Sequence, residues 1–396
     1  MSDALVTVLP VAGYDKEKVI AAIRTIFARE KLSEKIRPGI RIFVKVNLVR
    51  EMPPEKAATT HPVIVEAVCE ELMAMGAEVT VGDSCGGLYT EKHMSSVYST
   101  TGMTKACEES GAKLNADFTA GEVFCSDSTV LKSMQIINAF LSADAVINIS
   151  KLKTHGLTGY SGAVKNLFGL IPGLVKVEMH SKFNTLESFC NCLIDIERFA
   201  SEKIILHIID GIVGMEGNGP TNGNPVELGV IAASSDAYLA DAAALSIFTE
   251  AAENPVMECA AARGIVDTGS EAFVSAAEKG RRFRKPDFKK VDVKLNPSFF
   301  VNMPGFLKTI FRSSMSRKVR IVKDKCVGCG KCKMHCPGKA ITITKHKAHI
   351  DQKKCIRCYC CQELCPKDAV AYRKALMTGI VRAFSGTSSG KIEKKK

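Results

Sequence analysis

The chain has 396 residues, 46% of them hydrophobic and 24% charged, the composition of a globular protein with room for two or three domains. No apolar run approaches the roughly 20 residues that span a bilayer. The start, MSDALVTVLPVAGYDKEK, has an acid at Asp3 and no basic region, so it reads as a strand and not a signal peptide, with a cytoplasmic location expected. The net charge of +12 is lopsided: residues 1–280 hold 24 Lys+Arg against 35 Asp+Glu, and residues 281–396 hold 30 against 7.

In chain order, ALVTVLP (4–10) predicts a strand. DKEKVIAAIRTIFAREK predicts a helix, with apolar residues at 19, 20, 23, 26 and 27. IRIFVKVNLV (40–49), almost continuously apolar and β-branched, predicts a central strand. In THPVIVEAVCEELMAMG, Thr60 is expected to cap a helix, Pro62 to sit in its first turn and Gly76 to end it. Further strands are expected at AEVTVGDS and over 143–150, 203–212 and 228–234. Helices are expected near 184–200 and along DAYLADAAALSIFTEA, with Asp236 as the cap. This alternation predicts an α/β domain with a mostly parallel sheet over residues 1–280. Residues 281–318 read as a basic connector whose amphipathic part packs between domains or lies on a membrane surface. Residues 319–373 read as an α+β ferredoxin-like domain, and residues 374–396 as a polar, basic tail.

Nine of the 16 cysteines fall in CVGCGKCKMHCP (326–337) and CIRCYCCQELCP (355–366), and eight of the nine make two copies of C-x2-C-x2-C-x3-C-P. This run serves a pair of [4Fe–4S] clusters, with the fourth cysteine crossing to the other cube. Cys326, Cys329, Cys332 and Cys365 are expected to hold one cluster, and Cys355, Cys358, Cys361 and Cys336 the other. Zinc sites pair their ligands and do not use a triple plus a distant fourth. Cys360 is then a bystander, and the cysteines before residue 281 read as buried thiols. The basic last third has two readings: compensation for the anionic clusters, or a landing patch for an acidic electron carrier such as ferredoxin or flavodoxin. No nucleic-acid motif accompanies the charge, so nucleic acid is not an expected partner.

Polar residues gather where the strands end, and parallel α/β sheets bind ligands at those carboxyl ends. In KTHGLTGYSGAVKNLFGLIPG and the residues before it, Lys153, His155 and Lys165 are candidate catalytic residues. Glycines there would bring the backbone close to an anion. Lys45, Asn47, Asp83, Ser84, Asn166 and Glu216 are candidate contacts for a small anionic substrate; His180 is a fainter candidate. Neither a phosphate-binding loop of the G-x-x-x-x-G-K-[ST] kind nor a G-x-G-x-x-G fingerprint occurs. Cys85 has no histidine adjacent in sequence to activate it.

VKVNLV, THPVIVEAV, AEVTVGDS, KLKTH, SGAVKNLFGLIPG and MEGNGPTNGNP, followed by CIRCYCCQELCP, together resemble the family called domain of unknown function 362 in its ferredoxin-fused form. That resemblance implies an iron–sulfur protein of anaerobic metabolism. Where this family is expected to read GDSPGG, the chain has Cys85. His155, the GYSGAVK stretch ending in Lys165, and His180 are also similar in order to the nickel-pincer lactate racemase family. That resemblance implies proton transfer at His155, cofactor anchoring at Lys165 and nickel ligation at His180. The second catalytic histidine of that family has no counterpart in GDSCGG. The leading expectation is a ferredoxin-linked oxidoreductase whose two clusters exchange electrons with a site for a small organic acid. A non-catalytic electron carrier or cluster-handling factor, and a nickel-dependent isomerase, are the alternatives. A further cofactor in the first domain stays open.

Overall fold

A computed structural model of the chain describes residues 6–291, 293 and 318–373. The amphipathic part of the connector and the tail lie outside the described residues. The α/β domain is built on ten strands: β1 (Val6–Pro10), β2 (Arg41–Lys45), β3 (Glu78–Gly82), β4 (Lys113–Leu114), β5 (Ala120–Phe124), β6 (Ser133–Ile137), β7 (Ala145–His155), β8 (Gly159–Ser161), β9 (Ile204–Glu216) and β10 (Asn224–Ser234). Eight of them form one sheet in the order β1-β10-β9-β7-β2-β3-β4, with β8 on the end of β7. From β9 through β7, β2 and β3 to β4 the pairs are parallel; β1, β10 and β9 run antiparallel to one another. β5 and β6 form a separate ribbon.

Alternation along the strands splits the core between the two faces of the sheet. Phe43 and Val146 pack into one apolar layer, while Ile42, Val44, Ala145 and Ile147 pack into the other. Both layers are covered by helices, which is why the central strands read as unbroken apolar runs. The first helix, Lys16–Arg29, is capped by Asp15 and buries Val19, Ile23, Ile26 and Phe27. Asp236 caps Ala237–Ser246 as its position suggested, its carboxylate accepting from the Tyr238 and Leu239 amides.

Two local expectations change. The cap of helix Pro62–Ala74 is His61, whose Nδ1 accepts from the Val63 amide, and not Thr60. The Thr60 hydroxyl instead accepts from the Asn47 amide and donates to the Ile149 carbonyl, tying two strand ends together. The second change matters more: β7 runs on past residue 150 to His155 and folds back through β8. Lys151, Lys153 and His155, which looked like the start of a glycine-rich loop, therefore lie on the end of the central strand, and the glycines after them fall in the turn, in β8 and in the short helical turns that follow. The later loop, 217–223, turns β9 into antiparallel β10. No helix among the described residues is long and apolar enough to cross a membrane.

The ferredoxin module pairs β11 (Lys318–Ile321) with β14 (Val370–Arg373), and β12 (Ile341–Thr344) with β13 (Lys347–Ile350). Its two cysteine loops share one backbone pattern. Gly328 and Gly330 in the first, and Arg357 and Tyr359 in the second, take positive φ at matching places. In the second copy non-glycine residues accept the left-handed conformation, at a cost of order 1–3 kcal/mol each.

Candidate active site

β2, β3 and β7 lie side by side and parallel, so their carboxyl ends converge. On β7, Lys151, Lys153 and His155 alternate onto one face. Lys151 turns to a partner set away from the cleft, pairing with Asp210 at 2.8 Å and donating to Tyr14 Oη at 2.7 Å. Lys153 Nζ donates to Asn47 Oδ1 (2.5 Å) and to the Ala58 carbonyl (2.6 Å). Asn47 in turn donates to Asn166 Oδ1 (2.8 Å), and Asn166 donates to Asn148 Oδ1 (2.8 Å). This buried polar chain, each member satisfied, fixes the floor of a cleft holding about 720 Å³ of open space.

The cleft gathers most of the expected site residues. Asn47, Asp83, Ser84, Lys153, His155, Lys165 and Asn166 line it, and His180 joins them. Lys45 does not; it is fully buried beneath the floor, paired with Asp83 at 2.7 Å. Glu216 is also elsewhere: its carboxylate pairs with Lys289 at 3.1 Å and accepts the Lys289 amide at 2.9 Å. It sits at the end of β9 and fastens the start of the connector, so the expectation of a substrate contact there is corrected.

Sequence reading missed two wall residues. Lys176 Nζ donates to the Ser84 carbonyl and hydroxyl and to the Ile171 carbonyl. Glu363, the last residue of the short helix Cys360–Glu363, reaches across from the ferredoxin module and meets His155 Nε2 at 3.2 Å. Cys360 and Leu364 line the cleft beside it. His155 Nδ1 accepts from the amides of Leu157 (3.2 Å) and Thr158 (3.4 Å), which leaves the ring proton on Nε2, facing Glu363. Burial pushes the Glu363 carboxyl up, but the facing His155 ring N–H and the nearby Lys165 outweigh it and leave it at about 2.

Charge in the cleft is unbalanced. Lys153 and Lys176 are both held down to about 7 by desolvation, and neither makes an ion pair with a carboxylate. The Lys165 ammonium, half-buried over the rings of Phe168 (4.8 Å) and Phe189 (5.7 Å), has no hydrogen-bond or ion-pair partner among the described residues. His180 stacks on Phe189 at 4.4 Å, and its buried Nδ1 also lacks a partner. Cys85 faces the cleft too, and here folding supplies the histidine that sequence adjacency did not: His93 Nε2 lies 3.4 Å from Cys85 Sγ. Burial and Asp83 nevertheless push the Cys85 thiol up to about 12, so it stays protonated.

In the ferredoxin module the cysteines of the two runs come together. Cys326, Cys329, Cys332 and Cys365 line one cavity of about 360 Å³, bringing the distant fourth thiol to the first triple. Cys361 lies within electrostatic reach of Cys355, Cys358 and Cys336; burial first, then these neighbours with Cys332, raises its thiol. Backbone amides of Ala348, Ala369 and Ala340 donate to the sulfurs of Cys326, Cys365 and Cys336 at 3.2–3.4 Å. Among the described residues no three His, Cys, Asp or Glu side chains converge as a single metal ion requires.

Residues 42–246, just over half of the chain, match the family described as domain of unknown function (DUF362). The chain belongs to the DUF362 family. Residues 325–369 match a 4Fe–4S dicluster domain, so this DUF362 protein carries an iron–sulfur electron-transfer module. It is 28% identical over 327 residues to a thylakoid-associated protein of Synechocystis sp., covering 80% of this chain and 96% of that protein. Among solved structures, the lactate racemase apoprotein of Thermoanaerobacterium thermosaccharolyticum overlaps 58% of this chain and 54% of its own, with 12% identity and a TM-score of 0.37. A Thermotoga maritima protein overlaps 69% and 60%, with 12% identity and a TM-score of 0.32. The DUF362 chain thus spans about half the length of that racemase, and neither score is high enough to equate the folds.

Proposed function

We propose that this protein is an oxidoreductase in which the ferredoxin module exchanges electrons with a small carboxylate held in the cleft. The observation that carries this reading is the His155–Glu363 contact at 3.2 Å, because it makes the cysteine loop of one cluster a wall of the cleft. Cys326, Cys329, Cys332 and Cys365 would hold one [4Fe–4S] cluster, and Cys355, Cys358, Cys361 and Cys336 the other. When bound, the clusters supply or accept single electrons, at a potential that the motif alone leaves between roughly −700 and +450 mV.

The protein's own groups do the rest. Lys165, lacking an internal partner, binds the carboxylate of the substrate. Lys153 and Lys176 add positive charge that the protein leaves unpaired, so a bound anion is favoured over a neutral molecule. The Nε2 side of His155 faces Glu363 at 3.2 Å and favours the ionised carboxylate, so that the pair takes up or delivers the proton that accompanies electron transfer. Phe168, Val177 and Leu364 line the cleft with apolar surface and reduce its water.

The test uses anaerobically prepared, chemically reduced protein mixed with a panel of small carboxylic and oxo-acids, following cluster absorbance. A panel member should reoxidise the wild type, while His155→Ala and Lys165→Ala, carrying the same iron per chain before reduction, stay reduced. Equal reoxidation of all three proteins would sink the assignment.

A second reading is favoured by one observation: His155, Lys165 and His180 share the cleft, and His180 Nδ1 is buried without a partner. In a nickel-dependent isomerase Lys165 would anchor the cofactor and His180 would ligate the metal. Nickel near one per chain in the purified protein would move this reading to first place.

A further inference from the structure

We propose that the face of the ferredoxin module around Cys329 is the docking surface for an acidic electron-carrier protein. This rests on the module carrying electrons, but it concerns a surface other than the cleft. Of the 16 cysteines, Cys329 alone is exposed. Its loop therefore opens to solvent, whereas the second loop, through Cys360, Glu363 and Leu364, faces the cleft.

Two large apolar side chains close to Cys329 in the chain stand in solvent: Val327 is 55% exposed and Met334 is 77% exposed. Single exposed apolar residues are ordinary. These two, however, lie on either side of the same thiol in the chain, two residues before it and five after it, with exposed lysines between and beside them. Val327, Lys331 and Lys367 share the rim of the cysteine cavity with Cys329, and exposed Lys333 lies next to Met334. Residues 318–373 contain 14 Lys+Arg against four Asp+Glu. Two of those four acids, Glu363 and Asp368, are engaged by His155 and Arg50 of the α/β domain. Only Asp324 and Asp351 remain for the outer surface.

A small apolar contact ringed by lysines is suited to a transient redox complex. Such interfaces bury less than roughly 1,200 Å² and rely on electrostatic steering for their on-rate. The segments of this chain outside the described residues make poor occupants of a basic face. Residues 294–317 carry four basic and no acidic side chains, and residues 374–396 carry six basic and one acidic.

The test titrates full-length, cluster-loaded protein with an oxidised acidic flavodoxin by calorimetry over a series of salt concentrations. Three variants are compared with the wild type: Lys331→Glu/Lys333→Glu/Lys367→Glu, the single Met334→Glu, and Lys18→Glu/Lys35→Glu on the α/β domain as a control. Wild-type affinity should fall steadily with salt. The triple variant should bind at least about tenfold more weakly and Met334→Glu about threefold, while the control stays within about twofold. Cluster absorbance and reoxidation by carboxylate should remain at wild-type level in all of them, so a failure of docking is separable from a failure of the cleft reading. No flavodoxin binding by the wild type at low salt would overturn the proposal, as would equal weakening in the control. Light scattering that shows self-association abolished by the triple variant would also overturn it, assigning the face to the acidic domain of a second copy.

Discussion

Lys165 sits where a buried or half-buried cation is costly unless something pairs with it. Its neighbours are two aromatic rings, so the missing partner is expected to arrive with the ligand. Lys165→Met should leave the fold intact, with a melting temperature at or above that of the wild type, and weaken carboxylate binding at least about tenfold in calorimetry. Lys153 and Lys176 add a pH dependence. Their ammonium groups are held down to about 7 in the folded protein, against 10.5 for an ordinary lysine. Above pH 7 the folded lysines lose protons that the unfolded chain still binds, so anion-free protein gains stability as pH rises from 7 towards 10. Wild type should therefore gain stability over that range relative to Lys176→Met in urea titrations. Carboxylate affinity should move the opposite way, falling as pH rises above 7 because the cations that attract it are lost. A flat affinity from pH 6 to 9 would contradict the assigned charges.

Among the elements, β7 decides the site. Its first half was legible from AVINIS, an apolar strand signal, but its last five residues were not, because lysine, histidine and following glycines imitate a loop. The strand continues because β8 and β9 pair with its end and the polar floor satisfies its side chains. Local propensity cannot register either compensation. Glu363 was hidden for a related reason. It sits between two cysteines whose spacing already had a meaning, and its partner His155 lies some 200 residues away. The Cys85–His93 contact was missed because the reading sought adjacency, while a turn and the start of helix Glu91–Thr100 close the gap in space. The turn at Gly169 yields a packing prediction. A Cβ there would collide with Asp83 and Lys45, so Gly169→Ala should cost roughly 1–3 kcal/mol in urea unfolding.

For the whole molecule, the docked ferredoxin module supplies one wall of the cleft, through Cys360, Glu363 and Leu364. Arg50 donates to the Cys365 carbonyl at 2.7 Å and pairs with Asp368 at 2.6 Å, and Gln362 donates to the Asn218 carbonyl at 2.8 Å. Gly86 also abuts Leu364 so closely that an added Cβ would strike its side chain. Arg50→Ala should raise amide exchange across residues 360–370 while leaving the sheet of the α/β domain protected. The two-domain plan was legible, since the cysteine runs and the strand–helix alternation are strong local signals. Their mutual placement was not, because it depends on contacts between residues far apart in sequence. The measurement that tests the central claim most directly is electron paramagnetic resonance of the reduced, cluster-loaded protein with and without a small carboxylate, oxalate or succinate, shown by calorimetry to bind. The carboxylate should perturb the signal of the cluster nearer the cleft and leave the other unchanged, and Lys165→Met should abolish the effect. Identical spectra with and without saturating carboxylate would contradict a cleft shared between substrate and cluster.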